Sequence, residues 1–258
     1  MMPRIPPVSA AIVTIDVPMS DEVAAATHRA TEAVAHKLAR ELWLERLPAT
    51  WAIDASQTPC LAERIAELPG HEHALLAGHS SSTLASQLTG LRVSGHPIRT
   101  FVCSGPSAFC DPALLTRHGI TAIRLAPPVL KTSRWWQRWP FARDTAERIV
   151  APEAKALRWG LYEFAPLLTV PQVRGRAMRS ALEAAAKSRI PAVLVVDAQL
   201  IATQGQAGWS AVRSLIDELA QMRGDRTLEV LTIADVVDRA EHGRAAKPTT
   251  SALRSRAA

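Results

Sequence analysis

Residues 11–16 read Ala11-Ile12-Val13-Thr14-Ile15-Asp16, an apolar, largely β-branched run that stops on a carboxylate and lies between Pro7 and Pro18. A short run of this kind predicts a buried strand. Similar runs recur along the chain, at 49–54, 72–77, 98–103, 120–125, 192–197 and 228–232, and 161–170 also reads as extended. Between them lie stretches with helical spacing. The longest covers 21–47, where Val23, Ala26, Ala30, Val34, Leu38 and Leu42 share one face. Shorter helices are expected at 59–68, 82–91, 112–118 (closed by Gly119), 172–188, 209–222 and 233–242. Residues 126–156 are irregular, rich in Trp and Arg. Strands that alternate with helices over the whole length call for parallel pairing with helical crossovers. The expectation is an α/β fold, a single distorted (β/α) barrel of about seven to eight mostly parallel strands, with a large open sheet as the other arrangement.

In parallel α/β folds the chemistry collects at the carboxyl ends of the strands. Those ends carry Asp16, Asp54, His79, Cys103 and Asp197. Each alone is as readily a helix cap or a loop hydrogen bond. Asp16, His79 and Asp197 together form the candidate catalytic set. Trp135, Trp136 and Trp139, interleaved with Arg134, are candidate substrate-binding residues, because indole faces stack on sugar rings and guanidinium groups bind hydroxyls. The alternatives for this segment are a partner or membrane-surface contact, or tryptophans packed back onto the fold. His71 and His73 share one strand face and are either replacement metal ligands or residues of a solvated strand edge.

The order of these features resembles the polysaccharide deacetylases, the NodB-homology group. The family's Thr-Phe-Asp-Asp-Gly-Pro is matched by Thr14-Ile15-Asp16-Val17-Pro18, and its Ala-Thr-Phe-Phe strand by Ala49-Thr50-Trp51-Ala52. Its Gly-His-Glu-Ile stretch is matched by Gly70-His71-Glu72-His73, leading to Gly78-His79-Ser80. Its late Leu-His-Asp strand is matched by Val195-Val196-Asp197. The resemblance implies metal-dependent removal of an acetyl group from an amino sugar. In that chemistry one Asp is the base, a second Asp and two His hold a divalent metal, and a late His protonates the leaving amine. Here Asp16 takes the base position and Val17 the metal position. At most one histidine of the metal pair survives, near His79. No arginine stands in 100–106, where the family's Arg-Pro-Pro-Tyr-Gly is sought, and Val196 replaces the late His. The metal candidates are thus Asp16 and His79. Two donors fall short of the three protein ligands of a catalytic zinc site, so a divalent metal such as zinc is expected only if the site is intact.

Bulk properties narrow the partners. The chain has 258 residues and a net charge of +6. Four of those charges, Arg244, Lys247, Arg254 and Arg256, fall in an acid-free tail over 243–258, which reads as basic and disordered beside a domain over 8–242. The body is near neutral, so no nucleic-acid footprint is expected on it. Three cysteines and no apolar leader predict free thiols, no transmembrane segment and a cytoplasmic protein. No GxxxxGK[ST], GxGxxG or GxSxG motif is present. The function expected from the sequence is a divergent polysaccharide-deacetylase-like protein acting on a carbohydrate or acylated small molecule. It is either an enzyme that hydrolyses an acetyl or acyl amide or ester, or a pseudoenzyme that binds carbohydrate or regulates while keeping the fold.

Overall fold

The structure, a computed structural model, describes residues 9–18, 25–53, 59–77, 98–103, 111–126, 154–157, 160–173 and 175–245. Ten strands and seven helices lie within them. In chain order they are β1 (Ala10–Val17), α1 (Ala25–Leu44), β2 (Thr50–Ile53), α2 (Pro59–Glu67), β3 (Glu72–Ala77), β4 (Thr100–Cys103), α3 (Pro112–Arg117) and β5 (Ala122–Arg124). There follow β6 (Lys155–Ala156), β7 (Tyr162–Phe164), β8 (Leu168–Val170), α4 (Gly175–Ser188), β9 (Ala192–Asp197), α5 (Ala198–Gln204), α6 (Gln206–Gly224), β10 (Glu229–Leu231) and α7 (Ile233–Ala245). The helix expected at 82–91 and most of the 243–258 tail fall outside the described residues; α7 itself runs three residues past 242.

One sheet runs β6-β7-β5-β4-β3-β2-β1-β9-β8, with β10 added on β1. Every pairing is parallel except β6 with β7. The sheet curls into a distorted, incomplete barrel. The stretch 161–170, expected as one extended segment, is two strands. β7 pairs with β5 and β8 with β9, at opposite ends of the sheet. Ala165, Pro166 and Leu167 carry the chain across that gap, and proline cannot continue a ladder.

Strand β1 is buried along its whole length, and its alternate residues serve two layers. Ala11, Val13, Ile15 and Val17 pack outward against α1, α4, α5 and α6, in a layer that includes Leu38, Leu42, Leu182, Ile201 and Leu215. Ala10 and Ile12 pack inward with Tyr162, Phe164 and Val193. Helix α7 closes the amino-terminal mouth by adding Ile233, Val236 and Val237 to that inner cluster. A buried polar knot fixes the plug. The half-buried Glu72 carboxylate accepts from the Thr50 hydroxyl (2.8 Å), the Thr100 hydroxyl and the Ala234 N–H (3.0 Å), while the Ile233 N–H donates to Thr50 Oγ1 (3.0 Å). Desolvation pushes the Glu72 carboxyl above its ordinary range, against the hydrogen bonds it accepts.

Three helices end in the same closure before a strand. Arg46, Gly119 and Arg226 have positive φ, and the following N–H bonds back across the last turn, as in Leu47 to Leu42 O (2.8 Å). The expected long helix at 209–222 begins earlier, and α5 precedes it. Gly205, at φ 56° and ψ −128°, makes the break between them.

Candidate active site

Asp16 and Asp197 sit at the carboxyl ends of β1 and β9 as direct partners in the parallel ladder, so their side chains leave the same face of the sheet. Arg124 reaches them from the end of β5. Its Nη2 donates to both Asp16 oxygens, at 2.7 and 2.6 Å, and its Nη1 to the Leu125 carbonyl at 3.2 Å. The arginine side chain is fully buried and that of Asp16 is 13% exposed, so this is an interior ion pair. Arg124 Nε is buried with no acceptor among the described residues.

Burial raises the Asp16 carboxyl above its ordinary value. Arg124 opposes the rise, and the neighbouring Asp197 charge adds to it. Asp197 is raised by the same desolvation, opposed by backbone N–H groups of α5. Its Oδ1 accepts from the Leu200 N–H at 2.9 Å and so caps α5, a helix the sequence reading missed. The two aspartates of the candidate catalytic set thus lie together at one rim, one clamped by an arginine and the other employed as a cap. His79 lies outside the described residues, as do Arg134, Trp135, Trp136 and Trp139.

Two expectations are corrected. No arginine stands in 100–106; the arginine that reaches the rim is Arg124, at the end of β5. Arg124 is followed in sequence by Leu125-Ala126-Pro127-Pro128, which carries the arginine-and-proline pattern. The sequence did hold a signal for it, a lone charged residue inside the apolar run 120–125. Second, His71 and His73 do not join the rim carboxylates. His73 is level in the ladder with Trp51 and Ile15, whose side chains leave the outer, helix-facing side of the sheet, the face opposite to that of Asp16. His71 Nδ1 accepts from Trp51 Nε1 at 3.1 Å, and burial holds the imidazole below its ordinary pKa.

Val17 is fully buried in the outer helix-facing layer, and so is Val196. These are the positions that the resemblance gives to a metal-binding Asp and a proton-donating His. Neither points into the barrel, and neither carries a donor. Among the described residues, Asp16 is the one rim carboxylate left for a metal once Asp197 caps α5, and both its oxygens face a guanidinium. No group of three or more His, Cys, Asp or Glu that could hold a metal occurs among the described residues. The described residues, even with His79 added, do not fit a catalytic metal site of three protein ligands. Nor is any helix among them long and apolar enough to cross a membrane.

No family model matches the chain, and no curated protein matches it in sequence. Solved structures do match in fold. A Mycobacterium smegmatis protein designated a polysaccharide deacetylase superposes with a TM-score of 0.64 at 17% identity, covering 95% of both chains. A Pseudomonas aeruginosa protein of the same designation gives 0.54 at 10% identity, covering 90% of this chain and 91% of the other. One from Bordetella bronchiseptica, described as involved in O-antigen biosynthesis, gives 0.50 at 12% identity, covering 91% and 90%. Strand order, the rim aspartates and these superpositions agree: the chain has the fold of the polysaccharide deacetylases, in a divergent form that turns valine outward at positions 17 and 196.

Proposed function

We propose that the protein binds a carbohydrate at the carboxyl rim of its barrel and does not carry out metal-dependent deacetylation. The observation that carries this reading is the outward orientation of Val17 and Val196 beside an Asp16 already clamped by Arg124. Metal-assisted hydrolysis needs a Lewis acid held by several donors and a proton donor for the leaving amine. Valine supplies neither. What remains suits binding: two carboxylates that accept from sugar hydroxyls, and Arg124 Nε, a buried donor without an acceptor among the described residues. The proposal assigns Trp135, Trp136, Trp139 and Arg134 to sugar contacts above that rim, and leaves His79 a polar contact there.

The test uses full-length protein and an N-acetylglucosamine trimer. Acetate release is measured with and without added Zn²⁺ or Co²⁺, together with bound metal and trimer affinity. The expected result is trimer binding that Trp135→Ala or Trp136→Ala weakens, no stoichiometric metal and no acetate. Acetate release that a chelator abolishes and metal restores would overturn the proposal in favour of an active deacetylase. Failure to bind any acetylated glycan would overturn the carbohydrate assignment.

A further inference from the structure

A cavity opens at the amino-terminal end of the barrel. It has a volume of about 560 Å³, within the roughly 300–1,000 Å³ of small-molecule sites. The end of α1, the turns before β2 and β3, and one face of α7 form its walls, with Val230 and Leu231 of β10 among its apolar lining. Its lining shares no residue with the Asp16 rim, and Leu231 pairs with Ile12, four residues or about 13 Å along β1 from Asp16. It is therefore a different site from the one proposed above.

The chemistry of the lining is specific. Trp43 contributes an indole that is 50% exposed, a large aromatic surface left at a cavity wall. Arg46 lies beside it, and its guanidinium makes no hydrogen bond or ion pair among the described residues. Its backbone is held, because its carbonyl accepts from Arg223 Nη1 and its φ of 53° closes α1. Across the cavity, Asp238 spends Oδ1 on Arg99 Nη2 at 2.7 Å. His242 Nδ1 meets the Asp238 carbonyl at 2.7 Å. Asp238 Oδ2 and His242 Nε2 have no partner given to them by these contacts. Asp235 and Asp238 balance Arg46 and Arg239, so a charged ligand gains no net attraction. The wall is also preset, because the Trp51–His71 hydrogen bond fixes the His71 ring.

A half-exposed indole flanked by acceptors and donors of both signs, with no net charge, is suited to a pyranose ring. The apolar C–H face stacks on the aromatic ring, and the hydroxyls both donate and accept. We infer that this amino-terminal cavity is a second saccharide site, taking a neutral hexose-type ring stacked on Trp43 with its hydroxyls bonded to Arg46 and Asp238. It lets one chain hold two points of a glycan, or two glycans, from opposite ends of the barrel.

The probes are cellotriose, the N-acetylglucosamine trimer and, as an acidic control, a galacturonic acid trimer. Each is titrated calorimetrically into full-length wild type, Trp43→Ala, Arg46→Ala and Trp135→Ala, with circular dichroism confirming the fold of each variant. At least one neutral trimer is expected to bind. Its affinity at this site should fall about tenfold in Trp43→Ala and in Arg46→Ala and stay unchanged in Trp135→Ala. Neutral trimer binding that neither variant alters would overturn the inference while leaving the rim reading intact. So would no binding of either neutral trimer, or binding of the acidic trimer alone. Loss in Trp135→Ala only would place all saccharide binding at the rim and equally overturn the second site.

Discussion

Breaking the Asp16–Arg124 pair from either side should cost about the same at neutral pH and should respond to pH in opposite ways. Arg124 is fully buried and Asp16 nearly so, with Nη2 2.7 and 2.6 Å from the two oxygens. Removing one member of a buried pair leaves an uncompensated charge, at a cost of about 3–5 kcal/mol. In a chain of this size each kcal/mol moves the melting midpoint by about 2–4 °C, so either single variant should melt about 6–20 °C below wild type at pH 7. The survivors differ. In Asp16→Ala a guanidinium remains that cannot shed its proton, so the loss persists at every pH between 5 and 8. In Arg124→Met a carboxylate remains whose pKa burial already raises and which now has no cation to oppose that rise. A raised carboxyl pKa means that the folded state holds the proton more tightly than the unfolded chain. Stability is then lost as pH rises from the unfolded value, near 4, through the folded one, at about 1.4 kcal/mol per unit. Taking Arg124→Met from pH 7 to pH 5 should therefore recover up to about 2.8 kcal/mol, or about 6–11 °C. Thermal melts followed by circular dichroism at pH 5, 6 and 7 measure this directly. The double variant should cost less than the sum of the singles. Equal pH slopes for the two singles, or losses under about 1 kcal/mol in both, would refute the buried pair.

Val17→Asp, the change that restores the family's paired aspartate in sequence, should lower stability by about 3 kcal/mol or more, because it buries an unpaired carboxylate in the helix-facing layer. It should take up no stoichiometric zinc by elemental analysis; zinc uptake at unchanged stability would show that position 17 faces the barrel. Glu72→Leu strips acceptors from the Thr50 and Thr100 hydroxyls and the Ala234 N–H. At about 1–3 kcal/mol for each buried group left unsatisfied, it should cost about 3 kcal/mol or more and speed amide exchange at the start of α7, with Glu72→Gln much milder. In the wild type, Asp16, Glu72 and Asp197 all have raised carboxyl pKa values. Their summed contribution is fully present below the unfolded values near 4 and falls as pH rises through the folded ones, so Asp197→Asn should flatten the decline in melting temperature from pH 5 to pH 8.

Much of the architecture could be read from the residues because buried parallel strands leave apolar runs, and those at 72–77 and 192–197 match β3 and β9 residue for residue. What failed had physical causes. Residues 161–170 are extended throughout, and extension does not say which neighbour a strand takes; the break at Pro166 sends its halves to opposite sheet ends. The sequence leaves Asp197 open between a site residue and a cap because α5 is seven residues long, too short to show a helical period, and ends at Gly205. Arg124 stands inside an apolar run, where one charged residue does not by itself say which way its side chain points.

The harder failure concerns positions 16, 17, 196 and 197, where the candidate chemistry is decided. In a half-exposed strand the polar face announces itself, and period two assigns every side chain to inside or outside. Strand β1 has no exposed face, since all eight of its residues are buried, and its two polar residues, Thr14 and Asp16, sit at one end of one face. Its sequence reads equally well with Asp16 inward and Val17 outward or the reverse. A motif alignment supplies identity at a position but not direction. Direction comes from packing: Val17 and Val196 join the layer of Leu38, Leu182 and Leu215, and that leaves Asp16 and Asp197 the inner face with Arg124. An erosion that looked from the sequence like two lost side chains is, in three dimensions, a pair of positions absorbed into the outer core. Restoring the lost residue types there restores no site, because their side chains would leave the sheet on the wrong face.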